Sequence, residues 1–284
     1  MHRRGIDEQV YGGNVMEGNS PRLWPYTPSN SPVALPHGSV FFCSSEVIPL
    51  QSPSQSDEGV LAGQTLQSYC GDFSSESKTV EGLLAEHGGA SMQERRPFLL
   101  LGELANPYRL QDIGVGPLPI YTVRLSGLCR TYADSLDNRE ITPGVHHITL
   151  ARTHGWWEKT HLAMATIEQM KQMVVWLDQG RKGRWKPVKP AEGLLHFESG
   201  ALLPPTTEDI VWDGHVESVQ AEEPNFSGPQ IDLKQVMVPV HAQYGCYDNR
   251  GRLARCAHIG QRDFHENMFR RGSSKKWADI LDIC

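Results

Sequence analysis

The sequence predicts an α+β protein in which an extended arm precedes mainly antiparallel short strands and one long amphipathic helix. Residues 1–96 are rich in Pro, Ser and Gly, whereas residues 97–284 contain short apolar or alternating runs bounded by turn residues. One stretch, at about 158–179, has helical periodicity. Because strands and helices do not alternate regularly, an antiparallel sheet is favoured. We therefore predict a loop-rich arm at 1–96 and a mixed α/β globular domain at 97–284.

The arm combines turn-forming residues with scattered apolar anchors. Prolines recur at positions 21, 25, 28, 32 and 36, which favours extended backbone and excludes a helix interior. Acidic residues outnumber basic ones here. A disordered tail contains few large apolar residues, but this arm carries Trp24, Tyr26, Phe41 and Phe42. These four side chains are predicted to anchor the arm on another surface.

Short elements are predicted within and after the arm. Residues 40–43 are typical of a strand, and residues 79–87 of a short helix with Thr79 as its N-cap. The next predicted strands are 98–104, 120–128 and 146–151, of which 120–128 alternates most regularly. Gly and Pro residues mark the turns between them.

The long helix is predicted over residues 158–179. Ala163, Ile167, Met170, Val174 and Leu177 form one continuous apolar stripe at helical spacing. Gly180 is a typical helix stop. Further strands are predicted after it at 193–197, 210–212, 215–219 and 236–240, with a last short helix at 277–283.

Composition narrows the class of protein and its compartment. The net charge of -6 and pI of about 6.1 disfavour bulk coating of nucleic acid. The start of the chain has no apolar signal-peptide region, and no apolar run is long enough to span a bilayer. The six cysteines are scattered. We expect an intracellular, cytoplasmic protein without membrane contact, with a virion as the alternative location.

Two groups of residues are candidate zinc or iron ligands. The first is Cys246, Cys256, His258 and His265, which lie within twenty residues of one another but lack the paired spacing of a zinc knuckle. The alternative interpretation of this group is a β-hairpin that turns at residues 248–251, in which the two cysteine thiols pack in the interior and bind no metal. The second is His154, Glu158 and His161, which share one face if the helix begins early. The alternative interpretation of the second group is a polar start of the helix. No cofactor is expected for the protein unless zinc binds at one of these two groups.

Opposed charge segments suggest contacts with other molecules. A basic segment holds the residues Arg181, Lys182, Arg184, Trp185, Lys186 and Lys189. Residues 191–233 follow with acidic residues and no Lys or Arg. Such segments can pair between subunits of a homo- or hetero-oligomer, or the basic one can bind nucleic acid by phosphate contact and stacking. The alternative is that both segments are solvent-exposed loops of opposite charge that make no such contacts.

These patterns favour a non-enzymatic structural or interaction protein. The expected role is a subunit of a larger assembly, such as a viral or phage particle, that uses the arm and the charged segments for contacts. No phosphate-binding loop or nucleophile elbow is present. The alternative is a metal-dependent or cysteine-dependent enzyme built on one of the two ligand groups.

Overall fold

The computed structural model describes residues 35–44, 46–53, 59–137, 144–178, 183–197, 202–215, 217–226, 228–270 and 275–284. Within them the chain is α+β with mostly antiparallel strands. The strands are β1 Val40–Cys43, β2 Glu46–Pro49, β3 Ser74–Ser75, β4 Lys78–Thr79, β5 Arg96–Leu100, β6 Leu118–Leu136, β7 His146–Ala165, β8 Trp185–Val188, β9 Leu194–Phe197, β10 Ile210–Trp212, β11 Glu217–Val219, β12 Gln230–Asp232, β13 Val238–His241, β14 Asp248–Asn249 and β15 Arg252–Leu253.

The described helices are short. They are α1 Gln64–Gly71, α2 Val80–Glu86, α3 Pro107–Ile113, α4 Ile167–Asp178, α5 Gln261–Asp263 and α6 Trp277–Ile280. Three 3₁₀ turns, at Met92–Glu94, Gly102–Ala105 and Leu233–Gln235, connect them with strands, and a π-helical turn at Phe264–Met268 continues α5. None of the described helices is long and apolar enough to cross a membrane.

The central sheet is built around the long antiparallel pair β6 and β7. One edge of β6 pairs with β7 along most of its length. The other edge pairs with β1 at residues 118–120 and with β9 at residues 123–126. Strands β2 and β12 extend the sheet beyond β1 and β9, and β5 pairs with the free edge of β7. Strand β6 is therefore interior between residues 118 and 126, and β7 is interior where β5 pairs with it, at residues 161–165.

Alternation along the strands divides the core between the two faces of the sheet. Tyr121 and Val123 belong to the larger cluster on one face, whereas Leu118 and Ile120 belong to a second cluster on the other. Strand β1 does the same with Phe41 and Phe42. Successive side chains of a strand point to opposite faces, so a strand that packs on both faces carries apolar residues at neighbouring positions, as residues 40–43 of β1 do.

The described end of the arm lies on its own chain. The predicted strand 40–43 is confirmed as β1, and both Phe41 and Phe42 are fully buried in the core. The predicted helix 79–87 is confirmed as α2, with Thr79 accepting a hydrogen bond from the backbone N–H of Gly82. Residues before β5 also form α1 and α2, whose side chains Leu66, Cys70 and Leu83 belong to the larger core cluster. Trp24 and Tyr26 lie outside the described residues.

The prediction of one long helix at 158–179 is wrong. Residues 158–165 are the last part of β7, and the helix α4 begins only at Ile167. A capping box starts it, because the Thr166 hydroxyl accepts from the Gln169 N–H and the Gln169 amide oxygen accepts from the Thr166 N–H. Residues 158–163 instead pair with β6, and residues 161–165 pair on the other edge with β5.

Candidate functional site

A small pocket forms where β5 and α4 end and β7 and β8 begin. We call it the Glu103 pocket, and its cavity measures about 20 Å³, room for one water-sized group. It is lined by Leu101, Gly102, Glu103, Leu104, His146, His147, Ile148, Leu177, Trp185 and Pro239. A carboxylate and two imidazoles thus converge on a cavity whose remaining wall is apolar, an arrangement typical of ligand sites.

Glu103 is held in the pocket wall by the turn that follows β5. Gly102 adopts φ +53°, and a Cβ there would lie 2.6 Å from Cδ1 of Ile148, so the turn needs glycine. Glu103 is 7% exposed and forms an ion pair with Arg109, with Oε2 and Nε 3.4 Å apart. Arg109 is positioned by α3, whose N-cap Asn106 accepts hydrogen bonds from the first turn. The Glu103 carboxylate is therefore buried, charge-balanced and fixed in place.

His146 links the pocket to a neighbouring histidine. Its Nδ1 lies 3.3 Å from the Ala133 carbonyl, so Nδ1–H donates to that oxygen. Its Nε2 lies 3.0 Å from Nδ1 of His265 and accepts from it. Burial, together with a smaller contribution from the nearby His265, lowers the pKa of His146 to about 4. His146 is thus neutral at pH 7, and both of its ring nitrogens are engaged.

The second imidazole of the pocket packs in an aromatic group. The ring of His147 lies edge-on to Trp185 at 5.0 Å and 6.1 Å from the ring of His241. His241 accepts the backbone N–H groups of Gln243 and Tyr244 at Nδ1, each at 3.2 Å. Burial lowers the pKa of His241 to about 4. A second histidine near the pocket is therefore neutral at pH 7.

Together these groups provide hydrogen bonding and proton exchange in a small, partly apolar space. A carboxylate accepts hydrogen bonds from a hydroxyl or amino group. The ring nitrogens of His146 are already engaged, so His146 reaches a bound group only through an exchange of its bonds with Ala133 or His265. Carboxylates and imidazoles in a pocket are also the usual groups of general acid–base sites.

The structure does not bring the first predicted metal group together. His258 donates through Nε2 to the Pro205 carbonyl at 2.7 Å, and His265 bonds His146. Burial raises the pKa of Cys246 to about 12 and that of Cys256 still further, so both thiols are protonated. The hairpin predicted as the alternative is present as β14 and β15. Across the ranges that the structure describes, no three His, Cys, Asp or Glu side chains form a metal-binding group.

The second predicted metal group lies on β7 and not on a helix. In a strand, residues three apart point to opposite faces, so Glu158 and His161 diverge. Glu158 forms an ion pair with Arg130, with Oε1 and Nε 3.2 Å apart. His161 donates through Nε2 to the Pro36 carbonyl at 2.9 Å. His154 is exposed at the bend of the strand near Gly155. The helical spacing that suggested this site is therefore absent.

Part of the acidic segment is paired within the chain, whereas the described cations of the basic segment are exposed or half-buried. Among acidic residues, Glu192, Glu217 and Glu223 pair with Arg152, Arg255 and Arg124 respectively. Of the basic segment, Arg181 and Lys182 lie outside the described residues, Lys186 and Lys189 are exposed, and Arg184 is half-buried. Trp185 is buried at 4% exposure, which removes it as a platform for stacking nucleic-acid bases.

Sequence reasoning missed Glu103 and did not combine His146, His147 and Trp185. The available signal for Glu103 was its position in the sequence: it follows the apolar run 98–101 and is separated from it by one glycine, Gly102. The adjacent histidines at a strand start were a second signal. Their convergence depends on how distant parts of the chain pack, which spacing does not show.

No family model matches the chain, no curated protein matches it, and no solved structure matches it.

Proposed function

We propose that this chain binds a small polar molecule that inserts one hydroxyl or amino group into the Glu103 pocket. The observation that carries this proposal is the convergence of Glu103, His146 and His147 on one cavity with an apolar wall. The Glu103 charge is offset by Arg109, and its carboxylate lies beside a cavity, where it can accept a hydrogen bond from a bound hydroxyl or amino group. The cavity volume limits the inserted group to about one or two heavy atoms.

Thermal unfolding with small probe compounds tests this proposal. Ethanolamine, ethylene glycol and glycinamide present the expected groups. At ten times its dissociation constant, a bound probe stabilises by about 1.4 kcal/mol and raises the Tm by about 2–3 °C. We expect at least one probe to do so with the native chain, and Glu103→Gln to remove the response.

The matched control is Glu168→Gln, since Glu168 is on the exposed side of α4 with its side chain 72% accessible. This variant should respond like the native chain. An equal response of Glu103→Gln and Glu168→Gln, or no response to any of the three probes, would contradict binding at the pocket.

A second candidate is the assembly subunit expected from the sequence. Two large apolar side chains on α4, Ile167 and Val175, are 63% and 65% exposed, and exposed apolar groups support contact with another protein. Light scattering of the native chain, of the double variant Ile167→Glu/Val175→Glu and of a chain without residues 1–34 tests it. The deletion stops before β1 because β1 is part of the core. A native monomer, unchanged in both variants, would count against assembly.

A further inference from the structure

A group of polar side chains lies on the face of the central sheet opposite the larger core cluster. Register places Arg124 of β6 between Lys159 of β7 and His196 of β9, and it places Thr122 directly opposite His161. Direct cross-strand neighbours lie about 5 Å apart. We call these five residues, with Ser126, the Arg124 face.

Positive charge dominates the Arg124 face. Arg124 and Lys159 are direct neighbours across two strands, and like charges in that arrangement are destabilising. Arg124 forms an ion pair with Glu223 at 3.5 Å. Lys159 donates to the carbonyl of His37, and it has no carboxylate within ion-pair distance among the described residues. A second negative charge would therefore be stabilised here.

Several buried polar atoms of the same face have no hydrogen-bond partner. They are the Thr122 hydroxyl, Nδ1 of His161 and both ring nitrogens of His196, among the described residues. All three side chains belong to strands buried in the sheet, and His196 is fully buried. The Thr122 hydroxyl and the N–H of His196 are donors. His161 donates through Nε2 to Pro36, so its Nδ1 is an acceptor.

The chain itself supplies an anion to part of this face. The Glu223 carboxylate accepts from the Ser126 hydroxyl at 2.5 Å as well as from Arg124. Phe226, three residues later, stacks on His196 with ring centroids 3.8 Å apart. The Phe226 ring is nevertheless 46% exposed and the Glu223 side chain 26%. Arg124 also donates to the carbonyls of Pro224 and Asn225. Residues 223–226 thus form a partly exposed cover that contacts the face mainly through polar groups and the Phe226 ring.

We propose that the Arg124 face binds a phosphate group, free or as a monoester, which takes the place of the Glu223 carboxylate. Two cations, a hydroxyl donor and an imidazole N–H match phosphate oxygens. A protonated phosphate oxygen also donates to Nδ1 of His161, whereas an ionised carboxylate has no hydrogen to donate. Phosphate is therefore preferred to acetate.

Isothermal titration at constant ionic strength tests the site with inorganic phosphate, glycerol phosphate and acetate. Lys159→Gln should weaken phosphate binding at least tenfold, because it removes a charge-assisted hydrogen bond. Glu223→Gln should tighten it about tenfold, because it removes the competing anion. The control variants are Lys171→Gln, on the exposed side of α4, and Glu192→Gln, since the Glu192 side chain is 23% exposed against 26% for Glu223 and is also paired with an arginine. Both should bind like the native chain.

Nitrogen chemical shifts of the His196 ring provide a readout that does not depend on any variant. They should move on titration of the native chain with phosphate. Unmoved shifts together with no heat in Glu223→Gln would overturn the proposal, as would equal affinity of Lys159→Gln and the native chain. If glycerol phosphate binds and inorganic phosphate does not, the site is specific for phosphate monoesters. If only inorganic phosphate binds, the site is specific for the free ion.

Discussion

Gly102 shows how a single residue shapes the Glu103 pocket. Its positive φ and the contact that a Cβ would make with Ile148 both require glycine. We expect Gly102→Ala to lower the free energy of unfolding by about 2–4 kcal/mol, from backbone strain plus overpacking. Urea unfolding measures this change.

The control for this substitution is Gly114→Ala. Gly114 also has positive φ, at +74°, but open space surrounds its Cβ position. The free energy of unfolding of the Gly114→Ala variant should fall only by the contribution of backbone strain, about 1–2 kcal/mol. Equal losses in the two variants would mean that the contact with Ile148 costs nothing.

At the scale of elements, the junction between β7 and α4 rests on the capping box of Thr166 and Gln169. Gln169 also accepts from the Arg95 guanidinium and donates to the Pro117 carbonyl, so its loss affects more than the helix. Thr166→Ala is the cleaner test. It should cost about 1 kcal/mol of stability, since it removes one capping acceptor, whereas Lys171→Ala on the exposed side should cost less than half as much. Chemical denaturation of both variants makes the comparison, and equal costs would refute a role for the cap.

Elements were predictable where the local pattern was unambiguous. The strands at 40–43 and 210–212 and the helix start at Thr79 depend on short-range propensity and capping, and the structure contains them. The helix at 158–179 failed because Ala163 fits the helical stripe by coincidence, while it pairs with Phe98 and Ile120 in the sheet. Long-range strand pairing overrides local periodicity.

The pocket was less predictable than the elements. Glu103, His147 and Trp185 come from three separated parts of the chain, and only tertiary packing brings them together. The metal groups were chosen by sequence spacing, and the strand geometry of β7 turns Glu158 and His161 apart.

For the whole molecule, buried histidines make stability depend on pH. Burial is the main cause that lowers the pKa of His146, His161, His196 and His241 to about 4. In the unfolded chain their pKa is about 6.5, so between pH 6.5 and 4 the unfolded state binds more protons than the folded state. The stability they contribute is complete above pH 6.5 and is lost as the pH falls towards 4. Each histidine contributes a slope of up to about 1.4 kcal/mol per pH unit in that window.

Urea unfolding between pH 7.5 and 4.5 measures this dependence. The native chain should lose stability steadily below pH 6.5, and His196→Phe should have a smaller slope, by about one histidine's share. An identical slope in the two proteins would show that His196 takes up its proton equally in both states.

The pairing pattern of β6 has a consequence for the order of synthesis and folding. Residue 40 pairs with residue 120, and residue 123 pairs with residue 197. Such sequence-distant pairings slow folding, because a large loop must close before the two strands of each pair can meet. On the ribosome, β1 and β2 emerge long before their neighbour β6, and β6 long before β9. During that interval Phe41 and Phe42 have no β6 to pack against, so these two apolar side chains stay open to water or to non-native contacts until β6 is synthesised.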